Sequence, residues 1–153
     1  MTTVFITGAT GYIGSAIARA FIAAGYTVKG LARSEAARER LLDSGVQPVS
    51  GSMADISLLR GEAAASDGVI HAAVSHGADS EALDKMSVED MLAGLTGSGK
   101  PFIYSNGTLV YNDTRDRILD EDDPLDPIAP LRWRAEQESV VLDASAAGFV
   151  PSF

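Results

Sequence analysis

The sequence has no cysteine, so disulfides, thiolate catalysis and cysteine metal sites are excluded, and redox chemistry says nothing about the compartment. Its two histidines, His71 and His76, are too few for a zinc constellation. Positive charge is scarce. Twelve Lys and Arg stand against 21 Asp and Glu, a net charge of −9, which argues against nucleic acid or an anionic membrane as the main partner. A local basic site for one phosphate is still compatible with that balance. No apolar run reaches membrane-spanning length, and the opening MTTVFITGATG lacks the basic stretch of a secretory signal. A cytoplasmic protein is the expectation. What is present is a chain of 153 residues, 46% of them hydrophobic, enough for one domain with a sizeable core.

Hydrophobic patterning predicts a regular alternation of strands and helices. Thr3–Thr7 is a short β-branched run closed by Gly8, and residues 15–24 repeat apolar positions at helical spacing until Gly25. Thr27–Ala32 reads as a second strand, Ser34 as the cap of a charged helix over Glu35–Asp43, and residues 46–49 as a third strand. Ile56–Ala65 reads as a helix, 68–72 as a buried strand, 88–95 as a helix after a polar loop from Ser75, and 100–105 as the fifth strand. Residues 112–130, rich in Asp and Pro, read as a long surface loop before a last helix over about 131–147. This order predicts parallel βαβ units with right-handed crossovers: an α/β, Rossmann-type doubly wound sheet of about five strands. The apolar ending GFVPSF, 148–153, looks like the opening of a partial sixth strand. The expectation is therefore one domain over 1–153 that lacks a C-terminal substrate-binding part.

The motif with most weight is Gly8-Ala-Thr10-Gly11-Tyr12-Ile13-Gly14, placed between the first strand and the first helix. Gly8 permits a tight turn, Gly11 clears the backbone for a pyrophosphate, and Gly14 lets the helix approach the sheet. The pyrophosphate then meets the free N–H groups at the helix start. About twenty residues further on, where an Asp or Glu would select NAD through its ribose hydroxyls, the chain reads Ala32-Arg33-Ser34. Arg33 suits a 2′-phosphate and Ser34 adds a hydroxyl, so NADP is the expected cofactor, with NAD as the alternative. A second glycine stretch, Gly94-Leu-Thr-Gly-Ser-Gly99-Lys100-Pro101, nearly matches a nucleotide triphosphate loop. It follows a helix and precedes a strand, and Pro101 replaces the hydroxyl residue that would hold Mg²⁺, so it reads as a helix-ending loop.

These stretches, with GVIHAA at 68–73, YSNGTLVY at 104–111 and the helix around Glu136 and Glu138, resemble the NAD-dependent epimerase/dehydratase family, the extended and atypical short-chain dehydrogenase/reductases. The resemblance implies that Ala72, Ala73 and Val74 line the ribose and nicotinamide side of the cofactor and that Ser105 and Asn106 face the nicotinamide. It places Ser52 where relatives carry an Asp toward the adenine, with Asp55 in the next turn. The family's Tyr-x-x-x-Lys dyad has no counterpart: Pro130 falls at the tyrosine and Arg134, a candidate for the ribose, at the lysine. The family's strand-five hydroxyl position falls at Gly107, beside Thr108. Thr108 and Tyr111 are then the candidate catalytic hydroxyls. His71, with no partner legible in the sequence, is expected as a strand residue rather than an acid or base. The resemblance implies an NADP-linked oxidoreductase or nucleotide-sugar-type epimerase/dehydratase domain, a small-molecule substrate and a homodimer. The alternative is a non-catalytic NADP-binding sensor or interaction module.

Overall fold

The computed structural model describes residues 2–146. Five strands, β1 (Thr3–Thr7), β2 (Thr27–Ala32), β3 (Gln47–Ser50), β4 (Gly68–His71) and β5 (Phe102–Tyr104), form one sheet in the order β3-β2-β1-β4-β5. Every neighbouring pair is parallel. The helices are α1 (Tyr12–Ala23), α2 (Glu35–Asp43), α3 (Ile56–Ala65), α4 (Ser80–Leu95) and α5 (Arg132–Ala146). This is the doubly wound α/β fold expected from the sequence; the expected sixth strand at 148–153 lies outside the described residues.

Side chains alternate across each strand, so consecutive residues of β1 feed two cores. Val4 and Ile6 join Val28, Leu41, Val46 and Ile70 on one face, beneath α1 and α2. Phe5 joins Leu59, Val69, Val88, Met91 and Phe102 on the other, beneath α3, α4 and α5. Strands buried on both faces need the continuous apolar runs that β1 and β4 carry. Because all strands run the same way, their C-terminal ends share one edge, and the order reverses direction between β1 and β4. Ligands of open α/β sheets bind in the crevice at such a switch point.

Helix α1 begins at Tyr12, directly on the glycine turn, three residues before the apolar periodicity starts. Helix α4 begins at Ser80, two turns earlier than the expected 88–95. A 3₁₀ turn at Thr108–Tyr111 follows β5, and a second at Ala129–Leu131 leads into α5. The Gly94–Pro101 stretch is the link from α4 to β5, with Gly97 and Gly99 at φ +70° and +67°. Its Lys100 ammonium donates to the Ala64 carbonyl at 2.8 Å, which assigns that lysine to tying the loop to α3.

Candidate functional site

Gly8 ends β1 at φ +74°, in the left-handed region that disfavours other residues. A Cβ there would stand 2.5 Å from the Ala72 carbonyl oxygen and 2.7 Å from the Ala73 nitrogen, so the turn after β1 lies directly against the segment after β4. The Gly11 N–H closes the turn on the Gly8 carbonyl at 2.9 Å. A Cβ on Gly14 would run into that same carbonyl, which is how α1 comes down so close to the turn. Gly11 is the N-cap, with no side-chain cap hydrogen bond, and Tyr12 beside it is 96% exposed. The first turn of α1 therefore turns its N–H groups outward uncapped by any side chain, as anion binding requires. A Cβ at Gly11 would meet only the Gly8 carbonyl oxygen, at 3.2 Å, leaving open space where a pyrophosphate approaches. The residues present fit a dinucleotide. Thr10 and Ile13 complete this turn, the former half-buried and the latter exposed.

At the end of β2, Ala32 is buried and Arg33 is exposed, with no hydrogen bond or ion pair among the described residues. Ser34 caps α2 by accepting from the Ala37 N–H at 3.2 Å, and this leaves its own O–H free to donate. The nearest acid, Glu35, is paired with Arg38 at 3.0 Å. At the end of β3 the Ser52 N–H and hydroxyl both donate to the Asp55 carboxylate, at 2.6 and 3.0 Å, so Asp55 closes its own turn.

Beyond β4, Ala72 and Ala73 are half-buried and Val74 is exposed. Beyond β5, the Ser105 N–H donates to the His71 carbonyl at 2.9 Å, keeping the two segments side by side. The Asn106 side-chain amide donates to Glu138 of α5 at 2.5 Å, and its oxygen accepts from the Gly107 N–H at 2.9 Å. Thr108 is exposed at the start of the 3₁₀ turn. Tyr111, half-buried, donates to the Asp120 carbonyl at 3.4 Å, which ties it to the Asp-rich loop. Arg134 lies 4.6 Å from the Trp133 ring centre, and its guanidinium donates to the Tyr104 hydroxyl at 3.4 Å.

His71 sits in the strand as expected, but it has partners. It is 1% exposed, with Nδ1 2.6 Å from the Thr7 hydroxyl and Nε2 3.3 Å from the Asp84 carboxylate. Asp84, on α4, also accepts from the Tyr104 hydroxyl at 2.8 Å. Burial pushes the Tyr104 phenol above its ordinary value, and the negative charge of Asp84 adds to this, so Tyr104 stays a proton donor. Asp84 is thus a part of the site region that sequence reasoning did not assign, whereas Tyr104 is one of the hydroxyls that the sequence places near the site. The available signal was the spacing: positions 84, 88, 91 and 95 lie on the buried face of α4, and an Asp occupies the first of them.

The site comprises the C-terminal ends of all five strands, a glycine turn shaped for a diphosphate, and an unpaired arginine one strand away. The sequence profile of the NAD dependent epimerase/dehydratase family matches residues 4–132. The chain belongs to that family. It is an NAD(P)-binding domain of the oxidoreductase and epimerase type. It is 37% identical to an uncharacterized protein of Saccharomyces cerevisiae over 95% of this chain and 50% of that one. It is 30% identical to the 4-hydroxy-2-methyl-3-oxo-4-farnesyl-3,4-dihydroquinoline-1-oxide ketoreductase of Stigmatella aurantiaca, over 95% of this chain and 46% of that protein. Among solved structures, the fold is shared with the dTDP-glucose 4,6-dehydratase of Bacillus anthracis in complex with NAD. The TM-score is 0.83 at 15% identity, covering 99% of this chain and 53% of that one. The chain spans about half the length of the relatives it matches. Among the described residues, no helix is long and apolar enough to cross a membrane, and no group of three or more His, Asp or Glu could hold a metal.

Proposed function

We propose that residues 1–153 are the dinucleotide-binding part of an NADP-linked oxidoreductase or nucleotide-sugar-type epimerase/dehydratase. The observation that carries the choice of NADP is the end of β2, where an exposed Arg33, unpaired among the described residues, stands beside the Ser34 cap and the adjacent acid, Glu35, is engaged by Arg38. A guanidinium pairs with a phosphate dianion through two parallel N–H bonds. The start of α2 adds its own N–H groups to the same pocket.

When bound, the cofactor supplies or accepts hydride. Gly8, Thr10, Gly11, Tyr12, Ile13 and Gly14 hold its diphosphate, Arg33 and Ser34 its 2′-phosphate, and Ser52 flanks the adenine. Ala72, Ala73 and Val74 with Ser105 and Asn106 line the nicotinamide end, and Arg134 holds the ribose. Thr108 and Tyr111 are the hydroxyls assigned to the reacting carbonyl or alcohol. The 30% identity to a ketoreductase supports carbonyl chemistry. This reading includes a homodimeric, cytoplasmic protein with a small-molecule substrate, and a net charge of −9 agrees with the absence of nucleic-acid and membrane partners.

The test is calorimetric titration with NADPH and, separately, NADH. NADPH is expected to bind more tightly, and Arg33→Ala is expected to weaken NADPH by about tenfold or more while changing NADH little, as for a charge-assisted pair removed. Equal affinity for both cofactors in the unaltered chain would refute the 2′-phosphate assignment.

A further inference from the structure

Asp84 is a carboxylate sealed in the protein interior at 1% exposure. Such a group is costly to bury unless donors converge on it, and here they do. A carboxylate only accepts, so His71 donates through Nε2–H to Oδ1 at 3.3 Å, and Tyr104 donates to Oδ2 at 2.8 Å. In the neutral imidazole Nδ1 then accepts from the Thr7 hydroxyl at 2.6 Å. The Tyr104 oxygen in turn accepts from Arg134 at 3.4 Å. The chain of bonds is consistent in direction from end to end, and every polar group in it has a partner.

Strand register explains why these residues meet. Thr7 is opposite His71, and His71 is opposite Tyr104, on adjacent parallel strands. They form one rung on one face of the sheet, with the His71 and Tyr104 rings stacked at 5.8 Å and 13°. The residue after each rung position, Gly8, Ala72 and Ser105, opens one of the three segments assigned above to the dinucleotide. Packing alone does not need a charge at this place. Val88, Met91 and Leu95 already seat α4 against the sheet, and an apolar residue at 84 would extend that face at no desolvation cost. What a buried carboxylate adds is direction: it fixes where two rings and, through Tyr104, one guanidinium point.

Resting on the reading of the chain as a dinucleotide-binding domain, we propose that Asp84 is a positioning residue for the nicotinamide-ribose end of the cofactor, acting through His71 and through Tyr104 on Arg134. Arg33, Ser34 and Ser52, assigned to the 2′-phosphate and the adenine, make no hydrogen bond to this network among the described residues, so the two ends of the ligand respond differently to its loss.

The experiment compares NADPH with adenosine 2′,5′-bisphosphate, which carries the adenine and 2′-phosphate but no nicotinamide, by calorimetry on the full chain. Asp84→Asn is expected to weaken NADPH by about tenfold and to leave the bisphosphate within about twofold. Tyr104→Phe keeps the stacked ring, removes the hydroxyl that Arg134 uses, and is expected to show the same split; it carries the test if Asp84→Asn does not fold. Lys85→Ala, which cuts only its surface bridges to Glu81 within α4 and to Glu136 of α5, is expected to change neither affinity. Equal weakening of both ligands, or no weakening of either, would overturn the positioning role. Failure of the unaltered chain to bind NADPH, NADH or the bisphosphate would instead overturn the dinucleotide reading on which the role rests.

Discussion

Replacing Gly8 by alanine perturbs two things that the structure separates. The first is conformational: a left-handed φ of +74° costs an L-residue ~1–2 kcal/mol. The second is the close approach: the new Cβ would stand 2.5–2.7 Å from backbone atoms of Ala72 and Ala73, and backbone tied to β1 by the Ala72 N–H bond to the Thr7 carbonyl cannot swing aside as a side chain tip does. Overpacking of this kind costs about 1–3 kcal/mol. The sum, about 2–5 kcal/mol, is a large part of the ~5–15 kcal/mol that holds a typical domain folded. Gly25 supplies the control. It has φ +86° with nothing within 4 Å of its Cβ position, so Gly25→Ala carries only the conformational part. Melting followed by circular dichroism is expected to show Gly8→Ala below Gly25→Ala by roughly 2–12 °C, at about 2–4 °C per kcal/mol for a chain of this size. Equal melting temperatures would refute the claim that the turn after β1 and the segment after β4 are locked together.

Ser34→Ala removes the α2 cap and is expected to lower stability by about 1 kcal/mol in urea denaturation, while weakening NADPH more than NADH in titration. The Tyr104 phenol has an ordinary value of 10.0 that burial and Asp84 raise in the folded protein. Above pH 10 the folded state therefore holds a proton that the unfolded chain has released, and stability falls as pH rises from that point. Urea midpoints measured across this range should fall less steeply in Tyr104→Phe; an identical alkaline profile would assign the loss to other groups.

The strand and helix order was legible because β1, β2 and β4 carry compact apolar runs and the glycine turn punctuates the first unit. The starts of α1 and α4 were not. Tyr12 and Ile13 open α1 but face outward at the glycine turn, so they add nothing to its apolar periodicity. The buried face of α4 includes Asp84, Ser87 and Asp90, which break the hydrophobic signal and leave only its second half, from Val88 on, recognisable. The Asp90 carboxylate is matched by Arg60 at 2.5 Å and the Ser87 hydroxyl by the Leu83 carbonyl at 2.6 Å. Neither partner is visible from composition. The same holds for His71: its partners Thr7, Asp84 and Tyr104 lie 64, 13 and 33 positions away; strand register brings Thr7 and Tyr104 to it, and the packing of α4 brings Asp84. By contrast, the glycine turn and the Arg33-Ser34 pair are local, and the structure puts both on the C-terminal edge of the sheet.

The most direct measurement of the central claim is NADPH titration of Gly11→Ala beside the unaltered chain. Gly11 has φ −83° and ψ 175°, which any residue adopts, and its Cβ position meets only one atom, at 3.2 Å. The Gly8 carbonyl must give by a few tenths of an ångström and Ala is a poorer N-cap than Gly, so the substitution should lower the melting temperature without unfolding the chain, while filling the space a diphosphate needs. The result expected is one NADPH bound per unaltered chain and binding abolished in a folded Gly11→Ala. A folded Gly11→Ala that binds NADPH as well as the unaltered chain, or an unaltered chain that binds none, would contradict it.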